Sequence, residues 1–427
     1  MKKLLVHPNR RYLMDEDGNP FFYLADTAWE LFHKLTREDA EYYIGTRAKQ
    51  GFNVIQAVAL AEHDGLRTPN PYGRVPFHSI DGVFDPEKPD LGGKYDYWQH
   101  VDFIIETAEK NGIYIALLPT WGDKFNQKWG EGPEIFTKEN AYNYGTWIAK
   151  RYCNCKNIIW VLGGDRPIET DGQREIIDAM GRAIKKNAPD HLITYHPPGE
   201  SSSTDYVTGK EYIDFHSTQT GHGLGAYECH RLLAATRQAE QKPFLDMESR
   251  YEDHPACFNE NYDFYWDAAD VRQNAYWAVM EGACGHTYGN HCIWSMNTSI
   301  SKYFPYTWKS ALLHEGAGQM QNLKKLRLSR PYFEFRAAPE LIGDDKTVIA
   351  RQSAGRGDKY AFVYTPFGNN VKVYLDKLGN NPIKASWFDP RTGKTSVIGI
   401  MPPKEALFTP SMSGKEYDMV LVLDLME

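Results

Sequence analysis

Asn157-Ile158-Ile159-Trp160-Val161-Leu162-Gly163-Gly164-Asp165 is a continuous apolar run of strand length that stops at two glycines and a carboxylate. Pro243-Phe244-Leu245-Asp246-Met247-Glu248 has the same shape about eighty residues later. Runs that are apolar on both faces belong to strands covered on both sides, as in a parallel sheet. Strands that each end at an acid place their carboxylates together at one rim of a barrel. Outward from these two segments, further short apolar strands are expected at 23–27, 53–60, 113–119, 192–196, 214–219 and 285–288. With 158–162 and 244–248 they make eight, and Ile293-Trp294 reads as a continuation of the last.

Helical periods fall between these strands. Val101, Ile104, Ile105 and Ala108 recur at i, i+3, i+4, i+7 before Asn111-Gly112. Ile176, Ile177, Met180 and Ile184 repeat the pattern before Pro189. Eight strand–helix units in roughly 300 residues fit a (β/α)8 TIM barrel, an α/β fold, over 1–335. A doubly wound sheet is the competing fold. No G-x-G-x-x-G loop follows the first strand, which disfavours dinucleotide binding. Beyond residue 335 the helical period is lost. Residues 347–352, 360–364, 371–375, 383–388 and 419–423 are strand-like, separated by turns such as Asp389-Pro390-Arg391-Thr392-Gly393. Residues 336–427 therefore read as a C-terminal antiparallel β-sandwich domain.

The bulk numbers suit one large barrel plus an accessory domain. The chain has 427 residues, 42% hydrophobic and 24% charged, which is an ordinary globular balance. Lys plus Arg is 48 against 56 for Asp plus Glu, and no basic run stands out, so nucleic acid is not an expected partner. No run of eighteen apolar residues exists, so no membrane partner is expected either. Six cysteines without a C-x-x-C pair do not make a disulfide framework, and Cys284 and Cys292 read as buried thiols. Met1-Lys2-Lys3-Leu4-Leu5-Val6-His7-Pro8 is too short in apolar residues for a signal peptide. As written the protein reads as cytoplasmic, and a trimmed secreted or periplasmic form would look the same. The sequence sets no oligomeric state and asks for no cofactor.

Barrel chemistry sits where strands end. Glycoside cleavage needs two carboxyls, one to protonate the leaving oxygen and one to attack the anomeric carbon or activate water. Asp165 is the expected acid and Glu248 the expected nucleophile. Asp246 shares a face with Glu248 and reads as a buried support. The plain alternatives are a helix cap or turn for Asp165 and a salt bridge to Arg250 for Glu248. Asp165 has to hold a proton before attack, so burial and the Glu248 charge should raise its pKa. The other strand ends supply expected substrate-binding residues: Asp26, Trp29, His63, Trp121, Asp123, His196, Gln219, His222, Tyr288 and Trp294. With 14% aromatic residues, ring faces for a carbohydrate substrate are plentiful. His63, His196, His222, His286 and His291 could instead serve a metal-dependent barrel hydrolase. The first strand has no H-x-H and there is no H-E-x-x-H helix, so no metal site is assigned. A carbohydrate-binding protein without catalysis is the remaining alternative.

Together these segments resemble a known family. Arg11-Tyr12-Leu13 and Asp17-Gly18-Asn19-Pro20-Phe21-Phe22-Tyr23-Leu24-Ala25-Asp26-Thr27-Ala28-Trp29 are similar to the opening of the apiosidase-like glycoside hydrolases. That bacterial group was long labelled a domain of unknown function and is often called endoglucanase or collagen-binding protein. Gly51-Phe52-Asn53-Val54-Ile55-Gln56 and Trp160-Val161-Leu162-Gly163-Gly164-Asp165 resemble its next blocks, and Ser386-Trp387-Phe388-Asp389-Pro390-Arg391-Thr392-Gly393 resembles the sandwich behind its barrel. The resemblance implies a retaining enzyme with the acid/base after the fourth strand and the nucleophile after the seventh, which map onto Asp165 and Glu248. Cellulases of the same clan carry Asn-Glu after the fourth strand, whereas this chain has Gly-Asp, which argues against a true cellulase. Exo-acting release of apiose from plant pectin is the activity the resemblance suggests.

Overall fold

The structure, a computed structural model, describes residues 1–343 and 347–427. Its central sheet contains eight parallel strands: β1 (Tyr23–Thr27), β2 (Val54–Val58), β3 (Tyr114–Leu118), β4 (Ile158–Gly163), β5 (Ile193–His196), β6 (His216–Gln219), β7 (Phe244–Glu248) and β8 (Gly285–Tyr288). They lie in the order β5-β4-β3-β2-β1-β8-β7-β6, with Ser201–Ser202 antiparallel beyond β6. Every residue of β1, β2, β3, β4 and β7 is buried, because side chains fill the interior and helices cover the outside.

The sheet curls into the expected barrel, and its two ends meet without a regular ladder. Asp214 donates its backbone N–H to Ile193 O at 2.8 Å, and Thr194 Oγ1 donates to Phe215 O at 2.7 Å. Ser217 Oγ donates to Tyr195 O. Hydroxyl side chains thus join β5 to β6. The interval between these strands holds only a one-turn helix, Thr204–Val207, so the eight-unit pattern is incomplete there.

The predicted helices form where their apolar stripes meet the barrel. Helix α1 (Tyr97–Lys110) buries Val101, Ile104, Ile105 and Ala108, starts at the Asp96 cap and stops at Asn111, before Gly112 at φ 73°. Helix α2 (Asp171–Asn187) opens with a Thr170–Gln173 capping box and buries Ile176, Ile177, Met180 and Ile184. Helix α3 (Ala268–Met280) is buried on every side from Asp270 onward, its polar residues Arg272 and Gln273 included. The C-terminal domain covers it. Arg272 grips Asp418 with Nη2 at 2.7 Å and Nε at 3.2 Å, and Tyr276 stacks on Tyr364 at 4.9 Å.

That domain is a six-stranded antiparallel sheet in the order 336–337, 353–356, 360–365, 419–425, 383–388, 395–401, with a two-stranded sheet of 371–374 and 405–408. Val363, Leu421, Leu423, Ala385 and Trp387 belong to its core. Two expectations are corrected. Residues 347–352 do not form a strand. Their carbonyls go to α3, where Gln273 Nε2 donates to Ile349 O at 2.7 Å and Trp277 Nε1 to Arg351 O at 2.9 Å. The strand begins at Ser353. Likewise Ile293-Trp294 does not continue β8. It lies in the short helix His291–Trp294, which the Asn290 side chain starts by accepting from Cys292 N. Strands 395–401 and 405–408 were not anticipated, and both are largely exposed. All six cysteines are free, Cys284 and Cys292 being buried as expected. No helix among the described residues is long and apolar enough to cross a membrane.

Candidate active site

A cavity of about 610 Å³ opens at the C-terminal ends of the strands, and both Asp165 and Glu248 line it. The two carboxyls arrive by different backbones. Glu248 is the last residue of β7, where the pairing with β6 shifts register past Met247, and it is only 5% exposed. Asp165 follows β4 through three consecutive left-handed residues, Gly163 (φ 87°), Gly164 (φ 109°) and Asp165 (φ 55°). A Cβ on Gly163 would sit 2.4 Å from His196 O, and one on Gly164 would sit 2.7 Å from Gly122 N. Only glycine fits both the conformation and the space, which explains the pair before the acid. Helix α2 starts five residues later with Thr170 as its cap, so Asp165 is not a capping residue.

Glu248 is surrounded by donors. Tyr251 OH donates to Oε1 at 2.6 Å, and His222 Nε2 lies 3.2 Å from the same oxygen. His196 Nε2 lies 2.9 Å from Oε2, off the line an ideal hydrogen bond prefers. Burial alone would raise the Glu248 pKa, but His196 and His222 outweigh it and hold the carboxyl below its usual range. Arg250 does not pair with it. That guanidinium lies over Tyr227 at 3.9 Å and donates to Gln273 Oε1 at 3.0 Å. Asp246, two residues back, is fully buried and accepts from Thr220 Oγ1 at 2.7 Å, its pKa pushed by burial up to about 6.

Asp165 is poised the opposite way. Burial and the nearby Glu248 charge raise its pKa, against the pull of Arg166. Among the described residues its side-chain donors all fall on Oδ2: Arg166 Nη1 at 2.8 Å and Trp129 Nε1 at 3.3 Å. Oδ1 is left for a proton. One acid shifted toward its neutral form and one held ionised is the arrangement that general acid catalysis beside a nucleophile requires.

Trp29, Trp121, Gln219, His222 and Trp294 line the same cavity. His196 stands behind it against Glu248, wedged between Trp29 at 5.3 Å and Trp121 at 5.9 Å. His63 lies behind Trp294, its ring stacked on the indole at 5.2 Å. Asp26, Asp123 and Tyr288 are placed elsewhere. Asp26 accepts from Arg47 Nε and Tyr43 OH in the buried wall. Asp123 is held by Lys124 Nζ at 2.7 Å and Gly132 N at 2.8 Å. Tyr288 OH donates to Glu252. Each strand-end polar group met a protein partner before it could reach the opening. Burial pushes His286 and His291 down to about 3. Among the described residues no three His, Cys, Asp or Glu side chains converge as a metal-ligand set.

Sequence reasoning did not select Glu62, Trp129, Tyr251, His254, Phe258 or Tyr303, all of which line the cavity. Glu62 and Tyr251 sit just past β2 and β7, so their position after a strand was available as a signal. Trp129 and Tyr303 come from long loops that fold back over the rim, and no local pattern marks them.

The profile of a family described as "Apiosidase-like, catalytic domain" matches residues 7–334. The chain belongs to the apiosidase-like family. Residues 338–424 match a second family, described as "Putative collagen-binding domain of a collagenase". The apiosidase-like chain is similar to the crystal structure of a glycoside hydrolase family 5 protein from Bacteroides vulgatus, with 30% identity, TM-score 0.89, and coverage of 99% of this chain and 93% of that one. A structure named simply glycoside hydrolase matches with the same identity and TM-score, over 99% and 97% of the two chains. A further Bacteroides vulgatus structure shares the fold at TM-score 0.72 and 15% identity, over 100% and 82%. No curated protein sequence matches the chain. The family and these relatives make the protein a glycosidase whose substrate is a carbohydrate.

Proposed function

We propose that this glycosidase retains anomeric configuration, acts from chain ends, and cleaves pectin-type plant oligosaccharides, with Asp165 as acid/base and Glu248 as nucleophile. The opposed shifts of the two acids, one raised and one lowered, across one cavity carry the reading. In the first half-reaction a Glu248 oxygen bonds to the anomeric carbon as the glycosidic bond breaks. The Asp165 proton moves to the leaving oxygen. In the second, water gives its proton to Asp165 and its oxygen to the anomeric carbon, and Glu248 leaves as carboxylate. The histidines and Tyr251 hold Glu248 ionised and oriented for attack. Trp29, Trp121 and Trp294 offer ring faces to the sugar. A cavity of about 610 Å³ lies within the range of small-ligand pockets, which suits removal of a terminal sugar.

The test is incubation of the purified protein with pectin-derived oligosaccharides, apiose-bearing ones first, with the released sugar followed by proton NMR. A monosaccharide appearing first in the substrate's own anomeric form is expected. Release of the opposite anomer would overturn retention, and internal cleavage would overturn exo action.

A further inference from the structure

Glu62 follows β2 and lines the cavity from the Asp165 side. The two carboxyls share one cation. Arg166, fully buried, gives Nη1 to Asp165 Oδ2 at 2.8 Å, while its Nη2 lies 3.5 Å from Glu62 Oε1. The exposed ring of Trp129 covers this guanidinium at 4.7 Å.

The other charged groups facing Glu62 have partners of their own. Glu30, after β1, sits 2.7 Å from His33. Asp123, after β3, holds Lys124 at 2.7 Å. His63, next in the chain, turns to Glu131 at 3.7 Å. Arg166 is what remains to balance both Glu62 and Asp165. A single guanidinium does not keep two neighbouring half-buried carboxyls ionised at small cost. Asp165 has the close contact. Glu62 has one long contact on Oε1, and its Oε2 has no hydrogen-bond partner among the described residues. Burial, then the Asp165 charge, push the Glu62 carboxyl up to about 8 against the pull of Arg166.

We infer that Glu62 is a substrate-binding residue that works as a neutral acid, donating a hydrogen bond from its carboxyl to a sugar oxygen held beside Asp165. This rests on the glycosidase reading of the cavity. A carboxylate can only accept, whereas a carboxylic acid or an amide can donate. Glu62 therefore distinguishes a sugar oxygen as acceptor below its titration midpoint and loses that interaction above it.

Two measurements test the inference on the full-length protein. The first needs no substrate: infrared or carbon-13 NMR titration of the free enzyme. A protonated carboxyl signal present at pH 7, lost with a midpoint near 8, and missing from Glu62→Gln supports the assignment. Identical protonated-carboxyl signals in wild type and Glu62→Gln at pH 7 would overturn it. The second is the pH profile with a cleaved oligosaccharide. Wild-type KM should rise above the midpoint. The KM of Glu62→Gln should stay flat there, and Glu62→Ala should bind roughly tenfold more weakly than Glu62→Gln at all pH values, the scale of one lost hydrogen bond. A Glu62→Gln KM with the wild-type alkaline rise would overturn the proposal. If wild type cleaves no glycoside at all, it is the glycosidase reading that fails, and the titration still decides the protonation state of Glu62.

Discussion

The Asp165 corner and the Glu248 corner of the cavity are built on opposite principles. Glu248 stands at the end of a strand, nearly closed to solvent, with Tyr251 and two histidines around its oxygens. Asp165 stands on a strained left-handed loop that two glycines make possible, its side chain 22% exposed and its donors gathered on one oxygen. A nucleophile has to be ionised and aimed, so rigidity and donors serve it. An acid has to gain and lose a proton in each turnover, so it needs one open oxygen and a raised pKa. The contrast shows why burial alone does not set the role of a carboxyl. Both are deeply placed, and the neighbours decide which one keeps its proton.

The comparison can be broken at several points. Glu248→Gln keeps shape and removes the attacking oxygen anion. We expect turnover to fall by roughly 10⁴-fold or more while the protein stays folded, as read by steady-state kinetics and circular dichroism. Asp26 offers a contrast, since it also ends a strand but serves the wall. Asp26→Ala leaves Arg47 buried without its carboxylate and should cost about 3–5 kcal/mol in chemical denaturation, with kcat little changed in the protein that folds. Wild-type stability would remove the distinction between wall acids and cavity acids. Trp129→Phe is the gentlest probe. It removes the N–H that favours ionised Asp165, so the Asp165 pKa should rise further. The alkaline limb of kcat should then move to higher pH, with a few-fold change at most in the plateau. A shift to lower pH would mean that Asp165 is not the group behind that limb.

Much of this was legible in the sequence, for a physical reason. Strands covered on both faces are mostly apolar, and β2, β3 and β4 lie where their apolar runs lie. The Gly163-Gly164-Asp165 turn carried its own conformational signal. What failed depended on partners distant in sequence. Residues 347–352 look strand-like in composition, yet their carbonyls are claimed by Gln273 and Trp277 of α3. Asp26 and Tyr288 lie at strand ends much as Glu248 does, and nothing local reveals that Arg47 and Glu252 would capture them, while Asp123 is taken by its own neighbour Lys124 and by the backbone of Gly132. Trp129 and Tyr303 reach the cavity by loop paths that no periodicity encodes. Strands 395–401 and 405–408 are exposed, so the burial pattern that identifies a strand is weak in both.

The division of labour between the two acids is tested most directly by changing the leaving group. A dinitrophenyl leaving group departs without a proton, whereas a sugar alcohol does not. Asp165→Asn should therefore lose about 10²–10⁴ in kcat/KM on an oligosaccharide yet form the glycosyl–enzyme on the matching dinitrophenyl glycoside at close to the wild-type rate, while Glu248→Gln is inactive on both. Equal losses on the two substrates for Asp165→Asn, or dinitrophenyl release by Glu248→Gln at the wild-type rate, would contradict the account.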